Sequence, residues 1–301
     1  MKLVLTLIFC ILDLKFVVGW SAHAHSLIAN IAAQSLRDET RNDMYIILGI
    51  KKDPERLEKW LMDVSDWADK ESTESREYHF VHTTPTCEAY KADRDCGDDP
   101  ITGVCIASAI SNHIRIILDK HSDIDTLVAS LKHLVHYMGD VHQPLHVGFR
   151  TDYGGNNLYV KGFNGDDPES LHSIWDGRLL WHKAQKQLGL TSPYKMIRLI
   201  KERTRRIDID QMTLPIRGVN LYNATDVDMM VASLVSETSR DITCKIYTDM
   251  ETPSKPIHKN QQLSDNYKNR GGDLVYLQVK KAGFRLGALL NSIFSHRKTS
   301  R

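Results

Sequence analysis

Residues 133 to 146 read HLVHYMGDVHQPLH, four histidines and one aspartate within fourteen positions. Imidazole and carboxylate are zinc-type donors, and a buried helix rich in both has more to do than pack. His136 and Asp140 stand four apart, so they share one helical face a turn apart. Leu134, Val135 and Met138 remain for core contacts. Pro144 ends the helix, and His146 follows from the next turn, placed to bring a third donor back toward the same cavity. By itself, a His-x-x-x-Asp pair also suits a hydrogen-bonded core histidine. A second pair, His172 and Asp176, repeats the geometry on another helical stretch, and repetition strengthens the metal reading. Asp69, at the end of a helical stretch, and His79 add one donor of each type.

Elsewhere the chain reads as an exported protein. Its 39 basic and 38 acidic side chains nearly balance, which excludes the broad positive field of a duplex-coating protein. Residues 1–19 begin with Lys2 and carry an apolar run from Leu3 to Leu12, too short to cross a bilayer, as in a secretion signal. Val17 and Gly19 suit cleavage before Trp20, although Asp13 and Lys15 are unusual in such a segment. Cys87, Cys96, Cys105 and Cys244 then remain, without C-x-x-C spacing, so disulfides are expected in place of thiolate ligation. Of three possible pairings the short loop favours Cys96–Cys105, leaving Cys87–Cys244; four buried free thiols are the alternative. Asn223-Ala224-Thr225 is a glycosylation triplet. Export or an acidic, lysosome-like vesicle fits these features. If Trp20 is the mature terminus, its free amine and carbonyl oxygen can close a chelate ring, with His25 alongside; otherwise it is a core aromatic.

The donors must be held by helices. Apolar residues recur at helical spacing at Leu27, Ile28, Ile31 and Ala32, at Leu57, Trp60, Leu61 and Val64, and at Ile106, Ile110 and Ile114. Similar patterns cover about 124 to 142, 169 to 187, 226 to 246 and 273 to 295. Strand alternation is scarce; residues 157 to 161, after Gly154-Gly155, read as a small hairpin arm. The polar stretches 84–103, 148–168 and 250–271 read as loops, and 250–271 as a long loop inside one domain. The expected fold is all-α, a single domain over 20–295 with a small β-hairpin and a basic, frayed tail at 296–301.

Taken in order, Trp20 and His25, Trp67-Ala68-Asp69, His79-Phe80, His136-x-x-x-Asp140-x5-His146 with Gln143-Pro144-Leu145, and Leu171-His172-x-x-Trp175-Asp176 resemble the zinc-dependent single-strand-specific nucleases of secreted fungal and plant bifunctional type. The resemblance covers nearly the whole mature chain. It implies the mainly helical fold shared with zinc phospholipase C, and three Zn2+ ions at the base of a cleft. One zinc would take Asp69, His79, His136 and Asp140. A second would take His146, His172 and Asp176. The third would take the amine and carbonyl of Trp20 and the ring of His25, with Asp140 bridging to the first. The implied substrates are RNA, single-stranded DNA and 3'-nucleotides, with 5'-phosphorylated products; a monomer without membrane contact is expected.

In such a cluster zinc lowers the pKa of a shared water toward about 7 and neutralises phosphate. Asp69 and Asp140 are the candidate catalytic residues, Asp69 also orienting the attacking water. Phe80 resembles the family's stacking aromatic, and Gly155 and Asn156 its base-contacting loop. Two positions depart from the family: Ser72 stands where a basic residue is usual, with Lys70 nearby, and His82 where an acidic one is usual. His23, His133 and His142 have no ligand role and are expected at surface or supporting positions, the surface being favoured. Two alternatives stay open. One is a phospholipase C of the same fold, whose last pair usually closes with Glu where Asp176 stands here. The other is a secreted metal-binding relative with weakened catalysis.

Overall fold

The computed structural model describes residues 20–70, 73–96, 103–250, 252 and 255–299. The leader 1–19, Ser72 and the last two residues of the expected tail lie outside the described residues.

Thirteen α-helical segments follow in chain order among the described residues: α1 (Ala22–Gln34), α2 (Asp38–Leu48), α3 (Pro54–Val64), α4 (Ala92–Asp95), α5 (Ile106–Leu118), α6 (Ile124–Asp140), α7 (Leu171–Ser173), α8 (Leu179–His182), α9 (Met196–Arg203), α10 (Arg206–Met212), α11 (Ala224–Thr238), α12 (Cys244–Ile246) and α13 (Asp265–Thr299). Local chemistry sets several starts. The Asp53 carboxylate accepts from Glu55 N ahead of Pro54, which occupies the first turn of α3. Asp123 caps α6 by accepting from Thr126 N, and Asn223 caps α11 by accepting from Thr225 N and Asp226 N. Leu57, Leu61 and Val64 make the buried stripe of α3 at the expected spacing.

α1 lies at the centre, packed along α13 on one side and α3 on another, while α5 packs between α6 and α11. Leu27, Ile28 and Ile31 of α1 and Val279, Leu286 and Leu290 of α13 are buried in the shared core. Each such side chain contributes about 1.5–3 kcal/mol through removal of apolar surface from water. The Trp20 indole is fully buried and donates from Nε1 to the Gly139 carbonyl at 2.9 Å, which locks the start of α1 onto the end of α6.

The sheet is a two-residue antiparallel pair, β1 (Tyr159–Val160) with β2 (Glu169–Ser170), in the register Tyr159 to Ser170 and Val160 to Glu169. Two disulfides, Cys87–Cys244 and Cys96–Cys105, staple loops to the helical body. Two boundaries differ from the sequence reading. α13 starts at Asp265, inside the stretch taken as a loop, because Gly271 and Gly272 pack against Leu179 and its carbonyl, and tertiary contact overrides their low helix preference. The same helix runs through Thr299, where the Tyr222 hydroxyl donates to the His296 carbonyl at 2.9 Å, so residues 296 to 299 are helical. Among the described residues no helix is long and apolar enough to cross a membrane.

Candidate metal centre

α6 delivers the first donors. One turn apart near its buried end, His136 Nε2 and Asp140 Oδ2 lie 2.9 Å apart. The turn that follows is tied by Val141 N to the Tyr137 carbonyl, His142 N to Gly139 and Gln143 N to Asp140. It reverses the chain so that His146 returns, with Nδ1 donating to the His79 carbonyl at 2.7 Å and lying 3.6 Å from Asp140 Oδ1. Residues 81 to 83 run beside 146 to 148, with Val81 N donating to the His146 carbonyl at 2.8 Å, and this pairing carries His79 to the centre. His79 Nδ1 sits 3.0 Å from Asp140 Oδ2 and 3.5 Å from Asp69 Oδ1. Asp69 Oδ1 is also 3.3 Å from His136 Nε2.

His172 and Asp176 come from α7 and the π-helical turn Ile174–Arg178 that follows, with Nε2 and Oδ2 3.5 Å apart. A π-turn inserted at a donor pair is a frequent feature of functional sites. His146 Nε2 lies 4.0 Å from Asp176 Oδ1. From α1, His25 Nε2 reaches to 3.2 Å from Asp140 Oδ1, and its ring stacks on His136 at 4.1 Å. That approach needs Gly139, where a β-carbon would fall 2.8 Å from His25 Nδ1. The result is three adjoining groups: His25, His136 and Asp140; Asp69, His79 and His136; and His146, His172 and Asp176.

These residues fit a metal. His136, His146 and His172 each donate from Nδ1 to a backbone carbonyl, of Ser65, His79 and Gly154 respectively, which turns Nε2 inward toward the other donors. Nε2 of His146 and of His172 and Nδ1 of His25 are buried without a hydrogen-bond partner among the described residues. Buried orphans of this kind are costly unless a cation meets them.

Charge points the same way. Burial drives the His172 imidazole down to about 3 and lowers His146 and His25, leaving them neutral and able to ligate. Burial likewise holds the Asp176 carboxyl well above the usual carboxylate range, and such a group ionises readily only beside a positive charge. At Asp140 burial acts in the same sense, but the imidazoles led by His136 outweigh it and hold the carboxyl well below its usual range. His136 is the counterpart: burial opposes its charge, yet Asp140 and Asp69 lift it to about 10.

Other residues singled out in the sequence fall as follows. Phe80 is half-buried beside His79, and Gly155 and Asn156 lie on the loop whose Gly154 carbonyl orients His172. Gly154 has φ +61°, and a β-carbon there would meet the Leu145 carbonyl at 2.3 Å. Trp20 places its backbone next to the centre, since Ser21 N donates to the Asp176 carbonyl at 2.9 Å. Asn223 is exposed, and Lys70 pairs with Asp66 at 2.8 Å. His23 and His133 are half-buried.

His142 corrects the surface expectation. It is fully buried, its Nδ1 bound to the Met138 carbonyl and its Nε2 3.0 Å from Arg285 of α13. The turn's reversal leaves its side chain no route to solvent. Gln143 stands in the sequence only as part of a motif with no role of its own, yet its amide donates to Asp176 Oδ1 at 2.6 Å while its oxygen accepts from Leu145 N. A polar residue between two ligands, just before Pro144, was the available signal. A cavity of about 900 Å³ beside Ile31, Leu57, Ile200 and Phe284 carries none of these donors.

Clustered imidazoles and carboxylates on a mainly helical scaffold are the equipment of a metal-dependent hydrolase. A family model described as S1/P1 Nuclease matches residues 20–295, and the chain belongs to that family of zinc-dependent nucleases. It is 28 % identical over 285 residues to Endonuclease 2 of Arabidopsis thaliana, covering 92 % of this chain and 91 % of the relative. Nuclease S1 of Aspergillus oryzae is 28 % identical over 288 residues, 92 % of each chain. Nuclease P1 of Penicillium citrinum is 26 % identical over 282 residues, 91 % of this chain and 97 % of the relative.

Proposed function

We propose that this chain is an exported, three-zinc phosphodiesterase that cuts RNA and single-stranded DNA to 5'-phosphorylated products and removes the phosphate of 3'-nucleotides. The observation that carries the reading is the position of Asp140. Its Oδ2 faces His79 and His136, at 3.0 and 2.9 Å, while its Oδ1 faces His25 at 3.2 Å, as a carboxylate shared between two cations requires. Asp69, His79, His136 and Asp140 would hold one zinc, and His146, His172 and Asp176 a second. His25, with the amine and carbonyl of Trp20 after cleavage of the leader, would hold a third, Asp140 bridging.

Zinc in these groups supplies the Lewis acidity that readies water for attack on phosphorus at near-neutral pH, and positive charge for the phosphate. The protein's part is positioning. Asp69, at the outer edge of the cluster with its side chain 11 % exposed, accepts a hydrogen bond from the attacking water and aligns it. Burial disfavours its charge, but His136 outweighs this and holds Asp69 below the usual range, so it serves as an acceptor. Phe80 stacks on an unpaired base, worth about 1–3 kcal/mol and denied to a base kept inside a duplex. The cysteine pairs suit the oxidising compartment that export implies, and Asn223 is open to a glycan.

The test runs the zinc-loaded mature chain against single-stranded RNA, single-stranded DNA, a 3'-nucleotide and a phospholipid in parallel. Cleavage of the first three with 5'-phosphate ends is expected. Turnover of the phospholipid alone would replace this reading with the phospholipase, and no turnover of any substrate with metal bound would mark a weakened relative.

A further inference from the structure

The cavity of about 900 Å³ that carries no metal donor lies between α1, α3, α9, α10 and α13. Its α1 lining runs from Ile31 to Ser35, at the end of that helix away from His25. At a rise of about 1.5 Å per residue, Ser35 stands about 15 Å along the axis from His25. The volume falls in the range of about 300–1,000 Å³ typical of small-molecule sites.

The crossing of α1 and α13 closes the floor. At Gly283 and Gly287 a β-carbon would fall 2.5 Å from Cβ of Ile31 and 2.8 Å from Cβ of Ser35, so α13 lays bare backbone against α1 there. Ile31, Leu57, Ile200, Ile216 and Phe284 line the walls, each no more than 8 % exposed. All but Phe284 are branched aliphatic side chains, which suit a hydrocarbon chain better than the flat face of a nucleobase.

The charged lining is mostly of one sign. Arg37, Arg41, Lys201, Arg206 and Arg217 stand there against two acids, Glu58 and Asp210. Both acids are already engaged: Glu58 Oε1 accepts from Asn30 Nδ2 at 2.7 Å, and Asp210 Oδ1 lies 3.2 Å from Arg217 and 3.7 Å from Arg206. Lys201 is exposed, and its ammonium has no acidic partner among the described residues. Three positions on, Thr204 closes α9 and lines the same cavity, its hydroxyl oxygen buried without a hydrogen-bond partner among the described residues. An unmatched buried hydroxyl is costly, and an anionic oxygen seated between Lys201 and Arg206 would accept its proton.

We propose that this cavity binds a single-chain amphiphilic anion, its aliphatic tail against Ile31, Ile200 and Phe284 and its head held by Lys201, Thr204 and Arg206. The head is a carboxylate or a phosphate monoester, as in a fatty acid or a lysophosphatidate. The site is separate from the metal donors and independent of the nuclease reading. A bound ligand joins α1, α9 and α13, so occupancy raises the melting temperature by mass action.

The test uses the zinc-loaded mature chain and cis-parinaric acid, a long-chain polyene acid that fluoresces on entering an apolar site. Saturable binding of one equivalent is expected, with displacement by dodecanoate. Shorter acids should compete less well, by up to about four-fold for each methylene withdrawn from the cavity. Lys201→Glu and Thr204→Val should each weaken dodecanoate about ten-fold and leave dodecanol unchanged. Ala288→Trp, which fills the cavity, should abolish binding of both, and all three variants should cut single-stranded RNA as wild type does. Lys201 is exposed, so its variant folds whatever the tryptophan does to α13. Tighter binding of dodecanoate, or of the lysophosphatidate with the same chain, identifies the head as carboxylate or phosphate and supports the site either way. Failure of wild type to bind parinaric acid saturably overturns it, as does binding that none of the three variants alters. Preferential displacement by a 5'-nucleotide overturns it as well.

Discussion

Nε2 of His136 lies 2.9 Å from Oδ2 of Asp140, one turn further along the same helix, and both side chains are fully buried. Among the described residues both donor groups that draw on α6 contain His136, and Asp140 lies within 3.2 Å of a donor in each. Asp140→Ala should therefore cost activity beyond the roughly 10 to 100-fold typical of outer-shell partners. Zinc content by mass spectrometry should fall by more than one ion per chain, with far-UV circular dichroism unchanged in helicity. Full activity in this variant would remove Asp140 from the site.

Gln143 acts through Asp176, so Gln143→Leu should weaken zinc affinity by about 10 to 100-fold. Excess zinc should restore most of kcat, a rescue not expected of a ligand. A competition titration with a zinc-binding dye reads the affinity directly.

The terminus offers a separate check. If Trp20 ligates through its amine, extra residues fused ahead of it should remove one zinc and most turnover while the indole bond to Gly139 still holds α1 in place. Metal counting on the tagged and mature chains decides this, and equal metal content would exclude the terminal amine.

Glu237 of α11 pairs with Arg285 and Lys281 of α13, and Arg285 in turn reaches His142 behind the metal turn. Burial raises the Glu237 pKa, but the two cations outweigh it and hold it below the usual 4.5. A depressed carboxylate stabilises the fold above its unfolded pKa and loses that contribution as pH falls through its folded value. Wild type should therefore lose stability below about pH 4.5, and Glu237→Gln should show a lower Tm at pH 7 with a flatter acid limb. Parallel acid limbs in a Tm against pH series would rule the pair out as the cause.

The Cys87–Cys244 bond closes a separation of 157 residues. The chain-entropy account assigns a loop of that size about 5 kcal/mol. Replacing both cysteines with alanine should lower the urea midpoint accordingly, with zinc content retained at low temperature because neither residue belongs to a donor group.

The candidate donor pairs were legible because a four-residue spacing has one geometric meaning on a helix, and two such pairs in one chain are hard to explain by packing. Helices α1, α3, α5, α6 and α11 showed in their apolar periodicity for the same local reason. The start of α13 was hidden, since Gly271-Gly272 reads as a break and only the crossing of Leu179 holds it helical. For His142 the supporting position holds and the favoured surface one does not, and its partner Arg285 stands 143 positions away, beyond the reach of any local pattern.

What the chain itself determined was therefore the chemistry of the donors and the rigid pairs they come in, both functions of residue type and helical pitch. Only the folded arrangement decided that Asp140 faces His25 with one oxygen and His79 with the other, that Gln143 turns toward Asp176, and that Thr204 shares a cavity with Ile31. Those relations join segments far apart in sequence, and their geometry is set by packing across the core, which local pattern does not encode.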